Sequence, residues 1–394
     1  MAHTSPLNPA HQQAEASFLV YGPAGDGAEV VETYGELESE YAAIRKGCIL
    51  LDLPLRATLR ITGDDRIDFL NRMVTAELRD LPHDHARSAF WCNRKGRIDA
   101  DLRLIQLPDH MLVDLDILSA RRAHETLHEF IFAEDVHITD ITDQFHTLAL
   151  HGPTAARLLA IASEPLDAPP IADLGEHQAT RLRIAGHDII IQRDDLAAEP
   201  GYFLHMPVEA VEGVYHMLIE HARQHDDRAA PDAQRLRLRP AGWHAFNIAR
   251  IEAGTPLYNL DFGPESIPNE TGELLNRRVS FTKGCYLGQE VVARLHSLGK
   301  PKQTIVALKI DTTNTSAIDA QPLAGAPVYL PDDTTKPIGA VTSSTRAPML
   351  SDAIAILATI RTQHIAPGAT LLIDTPAGHT PAAIQPQLRF YPRS

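Results

Sequence analysis

The stretch Lys283-Gly284-Cys285-Tyr286-Leu287-Gly288-Gln289-Glu290 (KGCYLGQE) combines reactive and polar side chains with two glycines. A segment built only for packing would not need both glycines beside a thiol, an ammonium, a phenol, an amide and a carboxylate. Glycine permits positive φ and close backbone approach, so a sharp turn or a ligand fits there. Lys283 precedes Cys285 by two residues and favours the thiolate, the nucleophilic form of cysteine. This octet therefore predicts a functional loop with Cys285 as its reactive group.

The chain has 394 residues, a length that predicts two or three domains. Of these residues 44% are hydrophobic, which is typical of a globular protein. Its net charge of -15 disfavours nonspecific binding to a phosphate backbone. Arg235, Arg237 and Arg239 form a local basic run, which is more simply explained as the solvated face of a strand. We therefore expect no DNA partner.

Cysteine usage and the N-terminus predict the compartment. Cys48, Cys92 and Cys285 are few, odd in number and without a CxxC pair, which is typical of a reducing environment. The first residues lack a basic segment and an apolar core of a secretory signal, and the sequence contains no run of 18 apolar residues. The sequence predicts a cytoplasmic protein with no membrane contact.

Two strand–glycine–helix units suggest two related α+β lobes. Residues 59–62 alternate as a strand, Gly63 ends it and a helical pattern follows; residues 148–151, Gly152 and the next helical pattern repeat the plan. The segment before residue 35 reads as a loose lead-in, because the glycines of residues 22–27 interrupt it without completing a phosphate-binding loop. The predicted boundaries are 1–34 for the lead-in, 35–145 with 236–302 for the first lobe, 146–235 for the second lobe and 303–394 for a β-barrel.

The C-terminal segment changes pattern. Short strands at 305–310, 328–330, 338–341 and 371–373 alternate with Pro, Gly and Asp clusters, which predicts a small barrel. Before it, Val211, Val214, Tyr215 and Leu218 predict an amphipathic helix, and the polar residues 225–234 predict a linker.

One zinc-binding pattern is discounted. His124-Glu125-Thr126-Leu127-His128 matches HExxH, but the chain has 20 histidines and no HxxGxxH companion follows. The same helix has an apolar face of its own, formed by Ala120, Ala123, Leu127 and Phe130. We predict no metal site.

Carboxylates provide the other candidates for chemistry. Asp99 and Asp101 share one face of a predicted strand, where they are either paired with Arg94, Lys95 or Arg97, or used to hold a ligand with cationic or N–H groups. Glu199 stands at the turn Glu199-Pro200-Gly201-Tyr202, and an ionised carboxylate there accepts two adjacent N–H groups of a heterocycle well. Arg250 pairs with Glu252 or with the octet, which favours a structural role.

Together these residues resemble the signature of the YgfZ family of folate-binding proteins, related to the glycine-cleavage T-protein (aminomethyltransferase) superfamily. The octet supplies K-G-C-Y-x-G-Q-E, RIEAG at 250–254 precedes it and VVAR at 291–294 follows it. Residues 337–343 resemble the superfamily's C-terminal barrel. The resemblance extends over about residues 35–394.

The resemblance implies an α+β fold: a three-domain cloverleaf of two related α+β lobes around a central folate-sized cavity, plus a C-terminal small β-barrel. It implies tetrahydrofolate, or a reduced one-carbon derivative, as the ligand. Asp101 matches the T-protein aspartate near the reactive folate nitrogen. Glu199 with Tyr202 matches in part the motif that holds the pterin, with Ala198 where that motif has glycine.

The same resemblance implies roles for the remaining candidates. Arg250 belongs to the folate-binding set, Lys283 holds the anionic end of the ligand or lowers the pKa of Cys285, and Tyr286 stacks on the heterocycle. Gln289 and Glu290 orient the loop. The catalytic candidates are Asp101 and Cys285.

The function implied first is a tetrahydrofolate-binding protein that supports iron–sulfur cluster assembly or repair through Cys285, with iron–sulfur client proteins as partners. The alternative is a folate-dependent aminomethyltransferase or other one-carbon transferase in which Asp101 is catalytic. Ala245-Phe246-Asn247 replaces the T-protein Ala-Arg-Asp and disfavours this alternative. A third possibility is an RNA-linked or assembly scaffold that uses the barrel.

Overall fold

The computed structural model describes residues 2–23, 25–164, 170–226, 235–312 and 320–391. The helices are α1 (Asn8–Gln13), α2 (Leu37–Lys46), α3 (Arg66–Met73), α4 (Ile117–His128), α5 (Ala155–Ala162), α6 (Val211–His225), α7 (Trp243–Glu252), α8 (Leu274–Arg278) and α9 (Gln289–Leu298). The strands are β1 (Ser17–Tyr21), β2 (Ala28–Thr33), β3 (Cys48–Asp52), β4 (Arg56–Thr62), β5 (His85–Cys92), β6 (Ile98–Gln106), β7 (Met111–Asp116), β8 (His137–Asp140), β9 (Phe145–His151), β10 (Ala179–Ile184), β11 (His187–Arg193), β12 (Gly201–Pro207), β13 (Leu238–Pro240), β14 (Gln303–Ile310), β15 (Pro327–Tyr329), β16 (Gly339–Ala347), β17 (Ala353–Arg361), β18 (Thr370–Thr375) and β19 (Gly378–Ile384). Parts of four predicted segments lie outside the described residues: positions 1 and 24 of the lead-in, 165–169 of the second lobe, 227–234 of the linker, and 313–319 and 392–394 of the barrel.

The chain separates into two compact units. The first contains Met1–Asn71, Glu77–Ala89 and Asp101–Asn247, and the second contains Arg72–Ala76, Phe90–Ala100 and Ile248–Ser394. The boundaries of the four predicted segments stay a prediction.

A six-stranded sheet in the first unit has the order β10-β11-β12-β9-β3-β13. Its strands pair antiparallel except β13 with β3. Leu148 and Leu150 of β9 and Leu204 of β12 face a core that α5 and α6 also enter. The predicted strand at 148–151 and the two predicted helices, α5 and α6, are confirmed, because Leu158 and Leu218 lie with their neighbours at helical spacing on the buried side of each helix.

A five-stranded sheet has the order β5-β6-β7-β4-β8, and α4 packs against β4. The predicted strand at 59–62 forms the end of β4, and α3 follows Gly63 as expected. The register pairs Arg103 of β6 with Asp114 of β7, and Arg56 of β4 with Asp116 of β7. Charged residues therefore stand side by side on adjacent strands.

The prediction of a loose lead-in is wrong. Helix α1 and the hairpin β1–β2 occupy this segment, and Val30, Val31 and Tyr21 are buried. Gly22 ends β1 with a φ of +87°, so the glycine forms part of the hairpin connection.

The barrel of the second unit is closed, with the order β14-β17-β16-β15-β18-β19, which confirms the predicted C-terminal barrel. Strands β17 and β19 were not among the predicted strands. Both faces of β17 are buried: Ile354 and Ile356 fill the barrel interior, while Ala355 and Leu357 join a second apolar cluster. Among the described residues, no helix is long and apolar enough to cross a membrane.

Candidate functional site

The predicted site residues divide over the two units. Asp101, Glu199 and Tyr202 belong to the first unit, while Arg250 and the octet belong to the second.

Within the octet, Gly284 and Cys285 are exposed between two buried anchors, Lys283 and Tyr286. The Lys283 ammonium donates to the carbonyl oxygens of Val74 at 2.7 Å and Ala76 at 2.6 Å. It also lies 5.5 Å from the centre of the Tyr286 ring, a cation–π contact. Lys283 thus anchors the start of the octet to the segment at the end of α3. Contact with an anionic ligand would require its ammonium to face solvent, so this buried position does not support that predicted role.

Tyr286 is a core residue, with only 6% of its surface exposed. Its ring packs in a cluster with Phe90, Cys92 and Val292, and burial raises the pKa of its hydroxyl. That hydroxyl has no hydrogen-bond partner among the described residues. The buried ring does not support the predicted stacking on a heterocycle.

The three thiols differ sharply in accessibility. Cys285 is exposed, whereas Cys48 and Cys92 are buried. Burial raises the pKa of Cys48 to about 12 and raises the pKa of Cys92 as well. Cys285 is therefore the thiol that a soluble reagent or partner can reach, while the other two act as small apolar residues.

The last part of the octet begins α9. The Gln289 side-chain amide reaches back toward the Gly284 carbonyl at 3.5 Å, in line with the predicted role in orienting the loop. Glu290 lies in the exposed first turn of the helix, where a carboxylate is favoured by the helix dipole.

The two glycines of the octet have different surroundings, which gives a matched pair of variants. A Cβ at Gly288 would lie 2.6 Å from the Asn93 carbonyl oxygen, and its φ is +82°. A Cβ at Gly284 would meet nothing within 4 Å. We expect Gly288→Ala to lower the free energy of unfolding by about 1–3 kcal/mol, and Gly284→Ala to change it by less than about 0.5 kcal/mol. Urea unfolding of both variants checks this, and equal losses would contradict it.

Arg250 is a buried structural residue, 1% exposed. Its guanidinium bonds to the Asp261 carboxylate, to the Ser343 hydroxyl at 2.6 Å and to the Thr255 carbonyl at 3.2 Å. These contacts tie α7 to β16, and the carboxylate that pairs with Arg250 here is Asp261, where the sequence suggested Glu252 or the octet. The folate-binding role of Arg250 stays a prediction.

In the first unit, half-buried Asp101 lies on a highly charged sheet face. Asp114 accepts two bonds from Arg56, at 2.9 and 2.8 Å, and one from Arg103 at 2.6 Å. Arg103 also bonds to Asp194 at 2.8 Å and lies 4.2 Å from the centre of the Phe203 ring.

On this face, neighbouring carboxylates affect the pKa of Arg56 more than burial does. Burial alone would lower the pKa of Arg56, but Asp114 and two further carboxylates raise it. Those two are Asp116 and Asp101, which places Asp101 within the electrostatic reach of Arg56.

The described contact of Asp99 is with an amide rather than with one of the predicted arginines or lysine. Its carboxylate accepts from the Asn93 amide at 3.2 Å, and Arg97 pairs with Glu265 at 2.6 Å instead. The hairpin turn between β5 and β6 therefore directs Arg97 away from the strand face.

Glu199 and Tyr202 flank the start of β12. Burial raises the pKa of Glu199, and Arg45 partly offsets it through a 3.3 Å contact with its carboxylate. Tyr202 is 1% exposed and its ring belongs to the core of the six-stranded sheet. Glu199 thus has Arg45 as a cationic neighbour, whereas Tyr202 has the surroundings of a packing residue.

Asp116 and Tyr21 belong to the surroundings of Asp101, but neither is among the candidate residues predicted from the sequence. The Tyr21 hydroxyl donates to the Asp116 carboxylate. The alternation Asp114-Leu115-Asp116 on β7 repeats that of Asp99-Ala100-Asp101 on β6, and this shared pattern is the signal that could have found Asp116.

HExxH lies on α4 as expected, and the rings of His124 and His128 meet edge to face with their centres 4.8 Å apart. Within the described ranges, no group of three or more His, Cys, Asp or Glu residues could hold a metal ion.

Two family models cover most of the chain. The GCVT N-terminal domain matches residues 8–283, and the glycine cleavage T-protein C-terminal barrel domain matches residues 304–391. The chain therefore belongs to the glycine cleavage T-protein (GCVT) family. This confirms the superfamily to which the octet pointed, and it confirms the mixed α/β fold with a closed six-stranded barrel.

Relatives of similar length share this assignment. The chain is 26% identical to the aminomethyltransferase of Cutibacterium acnes, over 99% of its own length and 98% of the relative's. It is also 26% identical to the aminomethyltransferase of Saccharopolyspora erythraea, over the same shares of both chains. Its fold is similar to that of the glycine cleavage system aminomethyltransferase T from Bartonella henselae, with a TM-score of 0.84, 21% identity and coverage of 100% and 99% of the two chains. None of these comparisons distinguishes the YgfZ branch, which stays a prediction.

Proposed function

We propose that this protein is a folate-dependent aminomethyltransferase or closely related one-carbon transferase, with tetrahydrofolate as acceptor. The relatives named aminomethyltransferase match over nearly the whole chain, and they favour this function over a role in iron–sulfur cluster assembly or repair. The observation that carries the proposal is the half-buried Asp101 carboxylate on a charged sheet face. A carboxylate in such a position can accept a hydrogen bond from a folate nitrogen and stabilise positive charge there.

The chemistry asked of Asp101 is electrostatic and positional. During transfer, two bonds form between the carbon and folate nitrogens while the two bonds that join the carbon to its donor break, one of them releasing the amine as ammonia. Positive charge develops on each folate nitrogen as it attacks, and it is relieved when that nitrogen passes its proton to a leaving group. A fixed carboxylate stabilises that charge without having to reorganise. The bonds that Arg56 and Arg103 make to Asp114 hold the surrounding face rigid.

Glu199 is the proposed pterin-binding group. An ionised carboxylate accepts two parallel N–H bonds from adjacent donors of a heterocycle, which gives both affinity and orientation. The Arg45 contact at 3.3 Å restrains the Glu199 carboxylate and favours its ionised form. The Glu199 side chain remains partly accessible, at 17% exposed.

The proposal predicts the effect of Asp101→Asn. We expect methylene-tetrahydrofolate formation from a donor amine to fall at least about 100-fold, because a neutral amide cannot stabilise the developing charge. Cys285→Ser serves as the matched control and should retain the wild-type rate. Isothermal titration should show reduced folate binding to the wild type with a Kd tighter than millimolar. A wild type that neither binds folate nor transfers carbon would refute the proposal.

A second candidate, support of iron–sulfur cluster assembly or repair, is favoured by the exposure of Cys285 between two buried anchors. A thiol held in this way can exchange sulfur or redox equivalents with a client protein. In cells that lack this protein, a Cys285→Ser copy should then fail to restore iron–sulfur enzyme activity, whereas Asp101→Asn should restore it. The reverse pattern would favour carbon transfer alone. The YgfZ identity, the iron–sulfur clients and the cytoplasmic location belong to this proposal.

A further inference from the structure

A second carboxylate stands beside Asp101 on the five-stranded sheet. The register pairs Leu102 with Leu115, so Asp116 lies opposite Asp101 one residue further along. On its other side, Asp116 pairs with Arg56 of β4. Directly opposed residues of an antiparallel pair project from the same face, with Cβ atoms about 4.5–5.5 Å apart. Asp101, Asp116 and Arg56 are therefore neighbours on three consecutive strands.

Both oxygens of Asp116 are held by donors. The Tyr21 hydroxyl donates to Oδ2, and the Leu118 backbone N–H donates to Oδ1 at 2.9 Å, which caps the start of α4. Asp116 is buried, so these bonds fix its carboxylate in one orientation. Tyr21 ends β1 and is itself buried, which makes the N-terminal hairpin a support for this sheet face.

The charge on this face favours a cation. Two arginines, Arg56 and Arg103, face four carboxylates, which are those of Asp101, Asp114, Asp116 and Asp194. Arg56 and Arg103 both bond to Asp114, and Arg56 also lies within the electrostatic reach of Asp101 and Asp116. Two opposed carboxylates in a half-buried setting are costly unless a positive group lies near them.

We propose that Asp116, fixed by Tyr21, is a positioning residue for Asp101; this rests on the proposed function. The negative charge of Asp116 adds to that of Asp101, so together they attract the positive charge that develops during carbon transfer more strongly than Asp101 alone. Its fixed carboxylate also limits the orientations that Asp101 can adopt. Tyr21 acts one step further out, through its bond to Asp116.

The test uses Tyr21→Phe and Asp116→Asn in the full chain. Phenylalanine keeps the ring and removes the hydroxyl, and asparagine keeps a side-chain oxygen able to cap α4. We expect each variant to lower kcat about tenfold to hundredfold, with the KM for tetrahydrofolate changed less than about twofold. Because both act through one hydrogen bond, the double variant should be no slower than Asp116→Asn alone.

Tyr34→Phe is the matched control. It removes another tyrosine hydroxyl of the first unit, which bonds to His11 Nδ1 at 2.8 Å, and it should leave kcat at the wild-type value. Tyr21→Phe tests the bond even if Asp116→Asn fails to fold.

The outcomes separate this inference from the proposed function. Wild-type turnover that is lost in Asp101→Asn but unchanged in Tyr21→Phe and Asp116→Asn would overturn the positioning role alone. A rise in KM with unchanged kcat would overturn it as well. A wild type without folate binding or turnover would refute the proposed function and this inference together.

Discussion

Replacing Asp261 with Asn is expected to lower the free energy of unfolding of the second unit by about 3–5 kcal/mol, because it leaves the buried Arg250 charge without its carboxylate. Arg250 is 1% and Asp261 3% exposed, so water cannot take the place of the lost partner. Asp261 also accepts the Leu257 N–H at 2.9 Å and the Thr342 hydroxyl at 2.7 Å, and these bonds weaken when the charge is removed.

Urea unfolding followed by tryptophan fluorescence measures this loss. The chain has two tryptophans, so a Trp243→Phe background leaves Trp91 of the second unit as the reporter. The control is Asp68→Asn, which breaks the exposed pair of Arg79 and Asp68, 57% and 61% exposed, and should cost less than about 1 kcal/mol. Combining Asp261→Leu with Arg250→Met should recover part of the loss, since it removes both buried charges. Equal effects of Asp261→Asn and Asp68→Asn would contradict the prediction.

Asp52→Asn is expected to have the second large effect, and this effect depends on pH. The buried Asp52 carboxylate lies 2.8 Å from His11 Nε2 and 2.5 Å from His146 Nε2. Burial alone would raise the pKa of Asp52, but the charge of His146 and the bonds from both histidines outweigh burial and hold that pKa well below its usual range. At pH 7 we expect Asp52→Asn to cost about 3 kcal/mol.

The sign of the pH dependence follows from the lowered pKa of Asp52. A carboxyl with a depressed folded-state pKa contributes its full stability above the unfolded value of about 3.9, and the contribution is lost as pH falls toward the folded value. The difference between wild type and Asp52→Asn should therefore be large from pH 7 to about pH 5 and shrink below about pH 4.

Unfolding free energies at pH 7, 5, 4 and 3, followed by circular dichroism, check this difference. Asp143→Asn is the control, because Asp143 is 97% exposed and only 4.0 Å from His3, and it should behave as wild type throughout. A difference that stays constant down to pH 3 would show that the Asp52 charge does not stabilise the fold.

Much of the fold could be predicted because its periodicity is local. Helix α6 places Val211, Val214, Tyr215 and Leu218 on its buried side, as their spacing indicates. Strand β17 was missed because this local periodicity is absent from it. Both of its faces are buried, so its sequence is a continuous apolar run without alternation. The N-terminal hairpin was missed because a glycine cluster is typical both of an irregular segment and of a hairpin turn, and Gly22 belongs to the turn.

The sequence suggested candidate residues, whose roles stay a prediction, but it did not indicate the directions of their side chains. The octet motif marks Lys283 and Tyr286, yet both side chains point into the second unit. Lys283 reaches the carbonyl of Val74, 209 positions away in sequence, and no local pattern announces such a contact. Asp116 required knowledge of which residues face each other across β6 and β7, which depends on strand pairing rather than on spacing within one strand.

The closed barrel also limits how intact molecules can stack into aggregates. Every strand from β14 to β19 has a neighbour on both sides, so its backbone hydrogen-bonding groups offer no template to a second chain. The six-stranded sheet ends instead at β10, where Arg181 and Arg183 are exposed. Such charges on an edge strand oppose the addition of a foreign strand, so fibre growth by strand addition is disfavoured both at the barrel and at this edge.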